Sequence, residues 1–330
     1  MIRFLKDINL PNYPPILISA YSRPTHLYEC LLSLEACAGS SNHEIYITID
    51  APHSQDVVEF NQQVIEVANG NWKFKSLQTI IPRENTGGEI IKQSALQLLR
   101  TNDTLIMFEE DNRFSPDFLS YMNWALMHYK NDSSVYSVSA WSPDDPLFDD
   151  SGAVFLYPGY CAWGVGLWAA KTNNLIISRA MQREYFSHKL ASLRRMVLYF
   201  LKAPHLKRAT LNFYLNGGEA GDRYIDLYVF MNKGFSVFPG VSRTKNVGHD
   251  GSGENCKVSG GHMTQRINSL AKVEYYRHNQ EGYNFYRRVQ AHYALKLSKN
   301  ILLWFAWLAL WPVVIAKFYF KKIKQFLGLS

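Results

Sequence analysis

The 330-residue chain has only four cysteines, Cys30, Cys37, Cys161 and Cys256, none at CxxC spacing. That scarcity excludes a zinc-ribbon or redox motif and leaves free thiols of a reducing compartment. The opening residues, MIRFLKDINLPNYPP, lack an apolar h-region, which speaks against secretion and leads us to expect a cytoplasmic chain. There is no GxxxxGK[ST] phosphate loop, no internal repeat and no Gly/Ser linker. Acids are nearly missing between Arg179 and Arg208, where Glu184 is the only one. Such a segment either faces anionic headgroups or a diphosphate, or is a solvated helix face. No nucleic-acid motif accompanies it or the net charge of +7, so nucleic acid is not an expected partner.

What is present is a chain with 47% apolar residues, enough for a sizeable core. The first half alternates short apolar runs with helix-like ones, the pattern of an α/β sheet. Strands are expected at ILISAY (16–21), EIYITID (44–50), LQTIIP (77–82), the run from Thr104, and VYSVSAW (135–141). Helices are expected at PTHLYECLLSLEAC, DVVEFNQQVIEVAN, EIIKQSALQLLR and SPDFLSYMNWALMHY, the last with Ser115 as N-cap and Pro116 at the first helical position. TLIMFEEDNRF ends an apolar run in Glu109, Glu110 and Asp111. A buried strand emerging at the carboxyl edge of a sheet reads this way, and ligands bind there. Three adjacent carboxylates repel one another, which a cation offsets; the alternative is a solvated acidic turn. RENTGG contains the glycines that let a backbone approach a ligand.

Taken in order, ILISAYSRPTHLYECLLSL, ITIDAPHSQ, RENTGG, MFEEDNRFSPDFLSYMN, YSVSAWSP, YPGYCAWGVGLW and FPGVSRTKNVGHDGSG resemble the GT-A fold glycosyltransferases. The likeness is strongest to the N-acetylglucosaminyltransferases that initiate complex N-glycan branching and to bacterial family 2-like relatives. It covers residues 14 to 256. It implies a Rossmann-like mixed sheet and a metal-dependent, inverting transfer from a nucleotide sugar, expected to be a UDP sugar, by a hexosyl- or N-acetylhexosaminyltransferase. By the same resemblance Asp111 binds Mn²⁺ or Mg²⁺ carried by the diphosphate, Glu109 and Glu110 accept from sugar and ribose hydroxyls, and Asp50 accepts from the base. Arg23 lies near the phosphates, and Asn85 belongs to the donor loop. Asp222 falls at the catalytic base, with Asp226 as the fallback and Gly221 where the family carries tryptophan. NVGHDGSG resembles a loop that closes over the donor, and its His249 either completes the metal site or is structural. Trp141 and Trp163 either stack on sugar or pack in the core.

Ile301 to Ala316, ILLWFAWLALWPVVIA, falls short of the roughly 20 residues that span a bilayer. It is followed by Lys317, Lys321, Lys322 and Lys324. We expect a monotopic helix at an anionic membrane surface with Trp304, Trp307 and Trp311 at headgroup depth, the alternative being a core helix. The expected organisation is a catalytic domain at 1–290 and a membrane-associating tail at 291–330. The partners are then a nucleotide sugar and a glycan or lipid-linked glycan at the cytoplasmic face of the plasma membrane, as in surface polysaccharide or lipopolysaccharide assembly. The rival function is a membrane-bound glycan-binding or scaffold subunit of the same fold without turnover.

Overall fold

The computed structural model describes residues 13–144, 150–172, 175–176, 178–202, 206–207, 210–211, 213, 221–253, 264–277, 287, 289, 291 and 297–326. Cys256 lies outside these residues. The chain begins with β1 (Ile16–Ala20), α1 (Pro24–Glu35), β2 (Glu44–Ile49), α2 (Val58–Ala68), β3 (Ser76–Ile80), α3 (Glu89–Thr101) and β4 (Thr104–Glu109). Parallel pairing of β1 with β2 and β4, and of β2 with β3, buries the centre of this half on both faces, which is why Ile16, Leu17 and Ile18 are all fully covered. In α1, Pro24 starts the helix and Leu27, Cys30, Leu31 and Leu34 recur at helical spacing to form its buried face. α3 sets Ala95, Leu98 and Leu99 against Leu17 and Leu105.

The chain continues through β5 (Asn112–Phe114), α4 (Phe118–His128), β6 (Val135–Ser139), β7 (Ala153–Tyr157), β8 (Val165–Trp168) and α5 (Ala169–Thr172). Later come β9 (Phe235–Pro239), β10 (Thr244–Asn246) and β11 (Tyr276–Arg277). Nine strands form one mixed sheet in the order β11-β7-β9-β6-β8-β4-β1-β2-β3, and β10 pairs antiparallel with β5 as a separate ribbon. The expected α/β class with a mixed sheet is therefore present. The start of α4 differs from expectation: its N-cap is Asp117, and the Ser115 hydroxyl bonds the Asp117 carboxylate at 2.7 Å instead of capping the helix. Asp117 is in turn held by the fully buried Arg243 and by the Tyr275 hydroxyl, each at 3.0 Å. These charged contacts fix where the helix begins.

The chain divides into two compact units, and the division does not follow the expected boundary at residue 290. The first contains the whole sheet; the second comprises 158–160, 177–234 and 283–330. In the second, α6 (Arg179–Leu190), α7 (Leu193–Lys202), α8 (Asp222–Met231) and α9 (Leu297–Phe326) share a core that includes Phe186, Leu190, Met196, Phe200, Leu227 and Trp307. The tail helix is thus a member of this unit. Among the described residues no helix is long and apolar enough to cross a membrane.

His43 is fully buried in the first unit, its Nδ1 2.8 Å from the Pro14 carbonyl and its Nε2 3.2 Å from the Asn123 amide. That pair of bonds suits a neutral ring with its proton on Nδ1, and burial lowers its pKa to about 4. The unfolded chain takes up a proton near the ordinary histidine value that the folded chain refuses. Stability should therefore be intact above about pH 6.5 and fall by up to ~3 kcal/mol as pH drops toward 4. Urea midpoints across that window check this, and His43→Gln should flatten the slope.

Candidate active site

Side chains with chemistry converge where β1, β2 and β4 end. The parallel register sets Ser19 beside Glu109, and the Glu110 amide donates to the Ser19 carbonyl at 3.0 Å. Within the order β3-β2-β1-β4 the direction of winding reverses between β1 and β4, and such a switch opens a crevice at the carboxyl ends. A cavity of about 680 Å³ lies there, lined by Arg23, Asp50, Asn85, Glu109, Glu110 and Asp111. Those six residues, which the resemblance implied would share a site, line one cavity.

Arg23 holds the centre. Its Nε bonds Glu110 and its Nη2 bonds Asp111 Oδ2, both at 2.9 Å, with the two carboxylates almost fully buried. Burial by itself would lower the arginine pKa, but the two carboxylates outweigh it and hold the guanidinium above its usual value. Burial pushes Glu110 up against the pull of Arg23. The two directions are compatible because one guanidinium faces two acids: this cluster of three groups carries one surplus negative charge when all are ionised. Arg113 does not remove the surplus, since its guanidinium bonds Glu29 at 2.6 Å. Glu109 is exposed at the strand end and lines the cavity.

Asp50 has a different task from the one expected. Its carboxylate accepts from the amides of Ala51, Thr86 and Gly88 and from the Thr86 hydroxyl, at 2.9–3.0 Å. Those bonds occupy the lone pairs an incoming base would need. Asp50 therefore pins the 85–88 loop, while Asn85 bonds the Ala51 carbonyl at 2.5 Å. Tyr21 and His53, which sequence reasoning missed, line the same cavity with nearly parallel rings 5.8 Å apart. Their position just beyond β1 and β2 was the available signal.

The acids are covered by the loop that follows β10. Pairing of β10 with β5 brings Asn246 to Asp111, where its Nδ2 donates to Oδ1 at 2.8 Å, and the Val247 amide donates to the Asp111 carbonyl at 2.9 Å. Gly248 then passes so close that a Cβ would stand 2.1 Å from Asp111 Oδ2 and 2.9 Å from Arg23 Nη1. Asp250 anchors the loop further on, 3.3 Å from His26.

The test of Asp111 as a metal ligand is then specific. It offers hard oxygens beside a surplus negative charge, which fits Mg²⁺ or Mn²⁺. However, Oδ1 is bonded to Asn246 and Oδ2 to Arg23, so a cation fits only when Arg23 turns away. No group of three or more His, Cys, Asp or Glu among the described residues could hold a metal unaided. His249 packs edge-on against Trp163, ring centroids 5.8 Å apart. Trp141 is buried, donates to Gln265 at 2.7 Å and meets Trp163 edge-on, so it packs in the core and presents no face to a sugar.

The expected base residues lie in the second unit. Asp222 opens α8 with its carboxylate reached by solvent, yet protein atoms crowd it on a wider radius and push its pKa up to about 6. Asp226 is excluded as a base: it is buried, and Lys202 bonds both of its oxygens at 2.9 and 3.0 Å. Gly221 before them has φ +48° and ψ −126°, with nothing within 4 Å of where a Cβ would be. The backbone, not space, demands glycine there, which accounts for the missing tryptophan.

No protein-family model and no curated protein matches the chain. Among solved structures it is similar to a mannosyltransferase from Pyrobaculum calidifontis in complex with GDP-Man and Mn²⁺, at 12% identity over 51% of this chain and 47% of that one, TM-score 0.36. It is similar to S. aureus TarS 1–349 at 11% identity over 68% and 57%, TM-score 0.39. It is also similar to a cytidylyltransferase from Leptospira borgpetersenii at 14% identity over 48% and 61%, TM-score 0.29. The chain thus spans about half the length of these structures. Likeness this distant assigns no activity, and function rests on the site's own geometry.

Two glycine substitutions test the local geometry. Gly248→Ala should destabilise the first unit by about 1–3 kcal/mol through overpacking against Asp111, and Gly221→Ala should cost about 1–3 kcal/mol from backbone strain alone. Chemical denaturation of each variant measures both. In double-mutant cycles, an Asp111→Ala background should shrink the cost of Gly248→Ala and leave the cost of Gly221→Ala unchanged.

Proposed function

We propose that this chain is a glycosyltransferase, moving a hexosyl or N-acetylhexosaminyl group from a nucleotide sugar, preferentially a UDP sugar, to a glycan or lipid-linked glycan hydroxyl with inversion. The observation that carries the reading is the convergence of Arg23 with Glu109, Glu110 and Asp111 at the sheet's switch point, leaving a surplus negative charge beside an open cavity. A phosphate-rich donor alone would be repelled there. A donor bound together with a divalent cation is neutralised, with Asp111 as the cation's protein ligand and the cation's chemistry being to take up charge on the departing diphosphate.

The chain's own residues then divide the work. Arg23 turns from Asp111 to the phosphates, retaining a counter-charge throughout. Glu109 accepts from a sugar or ribose hydroxyl, and the Tyr21–His53 rings flank the base in place of the occupied Asp50. Asp222 takes the acceptor hydroxyl proton as the oxygen bonds to the anomeric carbon and the bond from that carbon to the diphosphate oxygen breaks. A carboxylate raised toward 6 is a stronger base than an ordinary aspartate and is still ionised at neutral pH. The second reading, a glycan-binding subunit without turnover, is favoured by Gly221, whose lack of a side chain removes an aromatic wall expected beside the sugar.

Transfer and donor hydrolysis assays separate the readings. Asp222→Asn should lower kcat by about 10²–10⁴-fold while donor affinity holds within about threefold. Wild-type kcat should rise with pH through about 6 and level off above it, since only the ionised carboxylate accepts the proton. Donor binding without either transfer or hydrolysis would instead establish the binding subunit. A separate calorimetric titration addresses the cation: Mn²⁺ alone should not bind the wild-type protein, Mn²⁺ with UDP should, and Arg23→Gln should bind Mn²⁺ alone. Tight binding of Mn²⁺ alone to the wild type would overturn the exchange of Arg23 for cation.

A further inference from the structure

The second unit carries an apolar surface that its own core does not use. α9 turns Trp307 fully inward, with its Nε1 donating to the Lys207 carbonyl at 3.0 Å, and Trp311 donates to the Leu190 carbonyl at 3.2 Å. Trp304 and Leu310 pack partly against the same core. The tryptophans therefore hold the helix to its unit, contrary to their expected position at headgroup depth. On the opposite side Leu302, Phe305, Leu308, Val313, Tyr319 and Phe320 are 46–68% exposed. At 100° per residue these six fall on one face, and they run along about 27 Å of helix axis at 1.5 Å per residue. At about 200 Å² for a large aromatic side chain, the strip exposes on the order of 700 Å², beyond the largest apolar patch usual on a soluble monomer.

We propose that this strip is a membrane-docking face, with the helix lying in the plane of an anionic bilayer and Leu302, Phe305 and Leu308 entering the acyl boundary. Charge selects this occupant. Leu297–Phe326 contains no acid, and lysines at 317, 321, 322 and 324 follow the apolar run. The basic segment Arg179–Arg208 with its single acid belongs to the same unit. An apolar strip accompanied by unbalanced positive charge matches an interfacial helix on anionic lipid. A strip made for a second copy would bring those charges against their own kind. The inference needs nothing from the donor site.

Flotation of the full chain with vesicles of phosphatidylglycerol and phosphatidylcholine tests it. The wild type should float with them, and float at least tenfold less with phosphatidylcholine alone or at high salt. Leu302→Ser with Phe305→Ser should abolish flotation while leaving the unfolding transition in place, because both side chains are already in solvent. Phe60→Ser, an exposed phenylalanine of the first unit, should float as the wild type does. Failure of the wild type to float, equal flotation of the Leu302/Phe305 variant, or a dimer in sedimentation that this variant dissociates would each overturn the proposal.

Discussion

Two adjacent carboxylates buried at the end of a strand cannot stand without a cation, and Arg23 is the cation this fold supplies. Much of the first unit's local design follows from that need. Pro24 starts α1 immediately after Arg23, so the guanidinium projects from a fixed helix terminus rather than a loose loop. The β5–β10 ribbon exists one residue beyond Asp111 and delivers Asn246, which satisfies the carboxylate oxygen that Arg23 leaves. Removing one partner of such a buried set costs about 3–5 kcal/mol, so the crevice is at once a binding place and a structural joint. Gly248 is the geometric consequence: covering a buried ion pair with backbone leaves no room for a Cβ.

The second unit solves a similar problem differently. Lys202 and Asp226 are both buried, and each carboxylate oxygen has its own bond to the ammonium. Burial lowers the lysine's pKa while Asp226 opposes the shift, a balance typical of a pair that neutralises itself. The Asp226 charge is therefore spent within the unit. Asp222, one helical turn earlier, is exposed, and among the described residues no lysine or arginine bonds its carboxylate. Burial and the Lys202 partner thus set Asp226 apart from Asp222 on the same helix.

Sequence pattern was most informative where physics is local. Doubly covered parallel strands must be nearly continuous apolar runs, so β1, β2 and β4 could be placed within a residue or two, and acids at the end of such a run could be placed at a sheet edge. The convergence of Arg23, Asp50 and Asn85 with the acidic triplet was expected only through the resemblance to the GT-A fold glycosyltransferases. Roles set by long-range partners were not. Nothing near Asp50 in sequence says that residues 86 and 88 will fill its lone pairs, and nothing near Ser115 says that Arg243 and Tyr275 will fix Asp117. The tail shows a subtler limit. Its apolar and aromatic residues alternate around the whole helix, so composition could not tell which face meets the core, and Trp307 was assigned to the wrong side. Gly221 was noticed as a departure but not explained, because a positive φ leaves no mark beyond the glycine itself.

On the proposed reading, the surplus charge at the crevice also constrains the order of events. If a dication took Asp111 by itself, Arg23 would lose one of its two partners inside a poorly solvated site, and the charge on that cluster would swing from minus one to plus one. If a diphosphate entered by itself, it would meet a net negative cluster. Each ligand alone is opposed, whereas together they leave every group near a counter-charge: the cation at Asp111, the guanidinium between Glu110 and phosphate. Because coupling free energy is reciprocal, whatever factor the donor adds to cation affinity the cation must add to donor affinity. On the proposed reading, the same arginine that neutralises the buried acids thereby favours a metal–diphosphate pair over either part.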